Sequence, residues 1–445
     1  MQLRKYSSII APLVCVPLAV VCASNLDIVV DDGAVDLVID WPLSGFAHGR
    51  VESSIDLQQW QVLTAVGLVD GQAKVSVASG EGEELLVQRF FRVVEDDSQG
   101  NVLNLPKIPD TYANVLWPEH LAAEEVRESD NTPMDNVVTD EGALLGRVLF
   151  YDQKLSANYS VSCASCHQQE HGFSDPAPLS VGFAGELTGR NSMGLANSQF
   201  YARGHFFWDE RANTLEDQVL EPIQNVVEMG LTTAEAVERV ASYSYYEQLF
   251  IDAFGDAAVT AERIGLALAQ FVRSIVSSQS RYDLGEANGF ADFTPQELLG
   301  QQLFNGRGRC VRCHEGPNFV GTRVENNGLE FPYMDEGVGA VTGRDRDLGK
   351  FKMSSLRNIE KTAPYMHDGR FATLEAVIDH YDHAVVANPN LGGPLRDSDG
   401  TARQLNLSQT EKDALIAFLR TLTDETTLTD PKWSDPFAAG AQGSF

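Results

Sequence analysis

The chain has 445 residues, 43% of them hydrophobic, which suits a globular protein of two or three domains and excludes a disordered one. Its formal net charge is −30 and its pI about 4.5, which disfavours a nucleic-acid partner and suits a basic or neutral one. Most of these carboxylates read as a solvated acidic surface.

Residues 1–23 read as a secretory signal. Arg4 and Lys5 make a basic start, Ile9 to Val21 is apolar, and Val21-Cys22-Ala23 offers a small-residue cleavage site. Lipidation at Cys22 is the weaker alternative, because Val21 is a poor residue before it. Residues 26–94 read as a β-rich accessory module resembling a small β-sandwich, with strand-like stretches at Val35–Trp41, Ala73–Val77 and Leu85–Val94. Pro106 and Pro109 punctuate an acidic linker over 95–110. No later stretch is long and apolar enough to span a membrane.

From 111 the pattern is helical. Thr232-Thr-Ala-Glu235, Thr294-Pro-Gln-Glu297 and Ser408-Gln-Thr-Glu411 each predict a capped helix start. Ile264, Leu268, Phe271, Val272 and Ile275 share one helical face, and Leu415, Phe418, Leu419 and Leu422 share another. No short internal repeat stands out.

The sequence contains six cysteines. Cys15 and Cys22 fall in the signal, and the other four form two motifs, leaving no thiol for a disulfide. The motifs are Cys163-Ala-Ser-Cys166-His167 and Cys310-Val-Arg-Cys313-His314, each reading as a c-type haem attachment site. The two thiols add to the haem vinyl groups and the adjacent histidine ligates the iron. The rival is a four-cysteine zinc site. Zinc gives no reason for histidine to follow both pairs, and an export signal fits haem attachment outside the cytoplasm. The implied architecture is mainly α: two tandem cytochrome c-like helical haem domains, 111–285 and 286–428, after the β module and before a tail at 429–445.

The motifs also carry a family resemblance. Leu145-Gly-Arg-Val-Leu-Phe-Tyr-Asp152, Ser162 to His167, Gly172-Phe-Ser-Asp175, Phe207-Trp-Asp-Glu-Arg-Ala212, Glu228-Met-Gly230 and Ala363-Pro-Tyr-Met-His-Asp-Gly369 resemble the bacterial di-haem cytochrome c peroxidase family, which includes MauG. The likeness spans roughly 112–428. It implies that His167 is the proximal ligand of the peroxide-binding haem and His314 that of the second haem. It implies that Trp208 relays electrons between them, and that Gln218 and Glu228 are the distal pair, with Pro222 lining the same pocket. A carboxylate above an open iron can move a proton between the two oxygens of peroxide. The resemblance further implies calcium held by Asn191 and the backbone oxygens of Thr362 and Pro364; oxygen ligands of this kind suit that ion.

Two departures from the family pattern matter. Reductively activated members hold a removable histidine sixteen residues after the first proximal histidine; here that position is Phe183. His171 follows the motif too closely to reach the opposite face, and His205 is the competing candidate. The string His167-Gln-Gln-Glu-His171 also spells a metalloprotease pattern, set aside because His167 is committed to haem. Fourteen residues after His367, where peroxidases carry methionine, stands Tyr381, similar to MauG. Met366, Met353 and His380 are the competing ligands there. An anionic oxygen ligand lowers the iron potential relative to methionine.

The expected function is a periplasmic or secreted di-haem peroxidase that reduces hydrogen peroxide with electrons from a cytochrome c or similar donor. The alternatives are a MauG-like enzyme that oxidises side chains of a partner protein through a high-valent iron state, and a non-enzymatic electron-transfer cytochrome. A homodimer is compatible with each.

Overall fold

The computed structural model describes residues 103–106 and 110–437, together with the backbone of six strands between Asn25 and Glu95. The expected signal and most of the expected linker lie outside the described residues. The chain divides into two units, Met1–Leu103 and Asn104–Phe445.

In the first unit the strands are β1 (Asn25–Asp31), β2 (Ala34–Asp40), β3 (His48–Ser54), β4 (Gln61–Gly67), β5 (Gln72–Val77) and β6 (Phe90–Glu95). They pair antiparallel into two three-stranded sheets, ordered β1-β2-β5 and β4-β3-β6. The register aligns apolar residues in rows: Val30 with Val35 and Val77, Ile28 with Leu37 and Val75, Leu26 with Ile39 and Ala73. That alignment is what period-two alternation in neighbouring strands produces.

The second unit is mainly helical and is built on one arrangement used twice. Helix α1 (Asp140–Tyr151) crosses α2 (Ala261–Ser274), and α3 (Pro295–Asn305) crosses α4 (Gln409–Arg420). Their starts are fixed locally. Thr139 and Thr260 accept from the third N–H of α1 and α2. Thr294 with Glu297, and Ser408 with Glu411, close capping boxes on α3 and α4, as the spacing predicts.

Both crossings depend on a glycine. A Cβ on Gly146 would lie 2.0 Å from the Ala267 carbonyl oxygen, and one on Gly300 would lie 1.9 Å from that of Ala414. The next obstacles also correspond: Phe271 Cβ at 2.8 Å and Phe418 Cβ at 2.7 Å. Neither backbone can yield without moving a helix. Gly300→Ala is therefore expected to cost at least the ~1–3 kcal/mol of an overpacked core, read as a lower thermal midpoint of the haem-loaded protein.

Three phenylalanines fill each crossing. Phe150 lies 5.1 Å from Phe271 and 6.3 Å from Phe173; Phe304 lies 5.2 Å from Phe418 and 5.8 Å from Phe319, ring centre to ring centre. All six are buried. Helix Arg281–Asn288 runs across residue 285, and Tyr282 packs edge-on against Phe319 at 4.9 Å, within the second core. After α4 the chain returns to the first haem segment. Tyr151 donates its hydroxyl to the Trp433 carbonyl at 2.7 Å, Arg147 to that of Pro431 at 2.6 Å, and Gln169 to that of Thr427 at 3.1 Å.

Candidate active site

The phenylalanine clusters carry the two Cys-x-x-Cys-His motifs. Cys163–Cys166 forms one helical turn closed by a Ser162–Ser165 capping box, and Cys310–Arg312 forms a tighter turn. Each following histidine is anchored in the same way. His167 Nδ1 lies 2.9 Å from the Phe173 carbonyl oxygen, and His314 Nδ1 lies 3.2 Å from that of Phe319. Both phenylalanines have left-handed backbones, with φ of 59° and 47°. That conformation turns the carbonyl back toward the imidazole while the ring enters the core. With Nδ1–H donating to a carbonyl, Nε2 keeps its lone pair for a metal. Burial lowers both imidazole pKa values, His314 to about 4, so the ligating neutral form prevails.

The four cysteines are free, half-buried thiols. Among the described residues no group of three or more His, Cys, Asp or Glu side chains converges to hold a metal ion, so the two cysteine pairs do not make one zinc site. Two separate thiol pairs, each beside an anchored imidazole, fit two covalent haems. Cys310→Ala is expected to lower covalently bound haem by one per chain, measured as haem retained by the polypeptide after acid–organic extraction.

The model of the di-haem cytochrome c peroxidase family, which includes MauG, matches residues 140–288. The methylamine utilization protein MauG of Methylophilus methylotrophus is 32% identical over 70% of this chain and 91% of its own length. The chain belongs to the di-haem cytochrome c peroxidase family. Cytochrome c551 peroxidase of Nitrosomonas europaea is 34% identical over 66% of this chain and 85% of its own. A crystal structure of a MauG-like protein associated with microbial copper homeostasis superposes with a TM-score of 0.61 at 36% identity, covering 69% of this chain and 96% of that one. Family membership makes this chain a c-type di-haem oxidoreductase, with the mainly helical fold its relatives share.

Within that family frame, Glu228 sits in a loop organised by Asn225. Asn225 Oδ1 accepts from the Val227 N–H at 2.9 Å, and Nδ2 donates to Glu228 Oε1 at 3.1 Å. Burial raises the Glu228 carboxyl above the usual range, opposed by Arg211. Its charge helps to raise the pKa of both Cys163 and Cys166, which puts the carboxylate in the neighbourhood of the first motif. Gln218 ends the short helix Leu215–Gln218, half-buried, and Pro222 lies in the first turn of Glu221–Gln224.

Phe183 is fixed against the same loop. Its N–H donates to the Glu228 carbonyl at 3.0 Å, and Asn158 donates to its own carbonyl at 2.7 Å. Its ring lies on Gly230, where a Cβ would come 2.4 Å from Phe183 Cε1 and φ is +74°. Only glycine suits that backbone with a ring so close.

Trp208 is held from two parts of the chain. Its indole Nε1 donates to the Asn191 carbonyl at 2.8 Å, and its own carbonyl accepts from the Lys352 N–H at 2.8 Å. The neighbouring Asp209 is paired with Arg190 at 2.6 Å and with Arg211 at 3.1 Å. Asn191 donates its backbone N–H to the His367 carbonyl at 2.8 Å and its amide Nδ2 to those of Pro178 and Ala177, at 3.2 and 3.3 Å. That aims Oδ1 the other way. Thr362 donates its hydroxyl to the Ile359 carbonyl at 3.4 Å, and Pro364 follows a cis bond two residues later in that segment.

Tyr381 stands in a π-helical turn, His380–Ala384, that continues helix Leu374–Asp379. Burial raises its phenol pKa, opposed by a hydrogen bond from the Asn327 side chain, and Cys313 and Cys310 act on it. Met366 Sδ and His380 also meet Asn327. Met353 packs on Gly321 beside the Cys313 carbonyl, and the adjacent Ser354 backbone meets His314. Met353 thus lies close to the second motif.

Reading the sequence missed Asn327, the carbonyl anchors of Phe173 and Phe319, and Lys352. Lys352 is buried, with its pKa lowered to about 7 by desolvation and its Nζ 4.0 Å from the Tyr201 ring centre. No residue-type signal marks such roles. The doubled helix crossing did have one: Leu144-Leu-Gly-Arg-Val-Leu-Phe150 and Leu298-Leu-Gly-Gln-Gln-Leu-Phe304.

Proposed function

We propose that this protein is a periplasmic peroxidase that reduces hydrogen peroxide to water with two electrons from a cytochrome c or similar donor, H2O2 + 2H+ + 2e− giving two waters. A haem on His167 would supply the open iron that binds peroxide, and a haem on His314 the second redox centre. Glu228 takes the proton from the near oxygen of peroxide and returns it to the far one, which leaves as water. Gln218 orients the peroxide, Phe183 and Pro222 bound the pocket, and Trp208 relays electrons. The reading is supported above all by the half-buried Glu228 carboxyl, raised by burial and held by Asn225 in the neighbourhood of the first motif, with Phe183 rather than a histidine bonded to its backbone. Asn191 Oδ1 and the backbone oxygens of Thr362 and Pro364 would hold calcium.

Tyr381 favours a second reading, in which the same oxidising power modifies side chains of a partner protein, as the resemblance to MauG implies. Steady-state assays separate the readings. Peroxide-dependent oxidation of a reduced cytochrome c is expected from a peroxidase. Covalent change in a partner protein, with slow cytochrome oxidation, would favour the second reading. No reaction with peroxide at all would leave an electron-transfer cytochrome.

A further inference from the structure

Lys352 is a buried cation whose counter-charge the described residues do not supply. Its Nζ lies 4.0 Å from the Tyr201 ring centre and 4.6 Å from that of Phe206, and both rings are buried. Among the described residues no carboxylate forms an ion pair with it; Glu210 acts on it only through its field. That carboxylate is already engaged. Arg203 donates to its two oxygens at 2.6 and 2.5 Å, and the Tyr201 hydroxyl donates to one of them. Asp209, next in the chain, is paired with Arg190 and Arg211. Ring faces attract a desolvated ammonium, but by less than its removal from water costs. The site is complete only with an anion.

The backbone sets where that ammonium stands. The Lys352 N–H donates to the Trp208 carbonyl at 2.8 Å. The short strand Phe351–Lys352 pairs with Val324–Glu325, in the segment that follows the second Cys-x-x-Cys-His motif. Successive side chains of a strand point to opposite faces. Phe351 stacks on the His367 ring at 3.8 Å, and Lys352 turns the other way, onto Tyr201 and Phe206. Met353, next along, packs on Gly321 beside the Cys313 carbonyl. A residue next to the second motif thus places its charge among side chains that precede Trp208, where the two halves of the helical unit meet.

We propose that Lys352 pairs with a haem propionate, as the buried counter-ion of a cofactor carboxylate. The proposal needs only that the chain carries its haems, and so is independent of which catalytic reading holds. A propionate is an ionised group that a haem brings with it, and like the ammonium it is costly to bury alone. Together the two charges meet each other's need. An ammonium has three donors, so it can serve a carboxylate while resting on both rings. A fixed positive charge beside a haem also favours the added electron, which raises that haem's reduction potential.

The test uses the full-length, haem-loaded protein. Lys352→Met removes the charge at similar length, and Lys352→Gln does so with a polar end should methionine prevent folding. Lys352→Arg keeps the charge. Three quantities are read: the thermal midpoint, the propionate bending bands in the resonance Raman spectrum, and the reduction potential of each haem. The neutral variants are expected to lower the midpoint, shift the propionate band of one haem and lower that haem's potential, with Lys352→Arg close to native in potential. Exciting the half-reduced protein, in which the ferrous and ferric haems absorb apart, identifies which haem is paired. If Lys352 meets only the two rings, the sign reverses: removing an uncompensated charge raises the midpoint and leaves both propionate bands in place. That result would overturn the proposal. So would a lower midpoint with both bands and both potentials unmoved, since the anion would then not be a haem propionate.

Discussion

Glu228→Gln is expected to keep both haems and to slow the peroxide reaction by roughly 10²–10⁴-fold, the usual worth of a positioned acid–base group. The amide keeps the shape of the side chain and a hydrogen bond to Asn225, but cannot take up a proton. The native reaction should also carry a pH signature. Burial raises the Glu228 carboxyl, so its neutral form persists to higher pH than an exposed carboxylate would allow. The proton acceptor is the ionised form. The rate should hold above the raised pKa and fall as pH drops through it, and Glu228→Gln should lose this acid limb along with the rate. Stopped-flow traces of the Soret band across pH measure both. An unchanged rate in the variant, or an acid limb that survives the substitution, would remove Glu228 from the mechanism.

The parts of the site legible in the sequence were those fixed by covalent or local chemistry. Two thiols and a histidine in consecutive turns have few other uses, and Thr294 with Glu297, or Ser408 with Glu411, announces a helix start by itself. The parts not legible depend on where the backbone travels between such markers. Phe173 and Phe319 serve through a carbonyl, which every residue has, and their shared left-handed geometry appears only in three dimensions. Asn327 lies far in sequence from Met366 and His380, and only the loops between them bring the three together. The doubled Leu-Leu-Gly segment was visible but has no fixed period. The stretch between Gly146 and Cys163 is longer than that between Gly300 and Cys310. Its meaning rests on Ala267 and Ala414, whose carbonyls exclude any side chain at those glycines. Neither alanine looks notable in a list of residues.

The native protein is expected to react with peroxide while fully oxidised, and Phe183→His to abolish that reaction until an electron is supplied. Phenylalanine has no lone pair for iron, so nothing at position 183 can block the sixth position of the His167 haem. The structure also gives residue 183 little freedom. Its N–H is bonded to the Glu228 carbonyl, its carbonyl to Asn158, and its ring closes over Gly230. A histidine substituted there starts beside the loop that carries Glu228, where an imidazole would compete with peroxide for the open iron. The expected spectrum of the ferric variant is low-spin and bis-histidine at that haem, against a five-coordinate or water-bound native form. Rapid mixing with peroxide separates the cases: prompt Soret change for the native protein, and none for the variant before reduction. A native protein that stays inert when fully oxidised would return it to the reductively activated class, with His205 the first residue to test as the blocking ligand. A variant that reacts as fast as the native protein would show that residue 183 does not reach the iron.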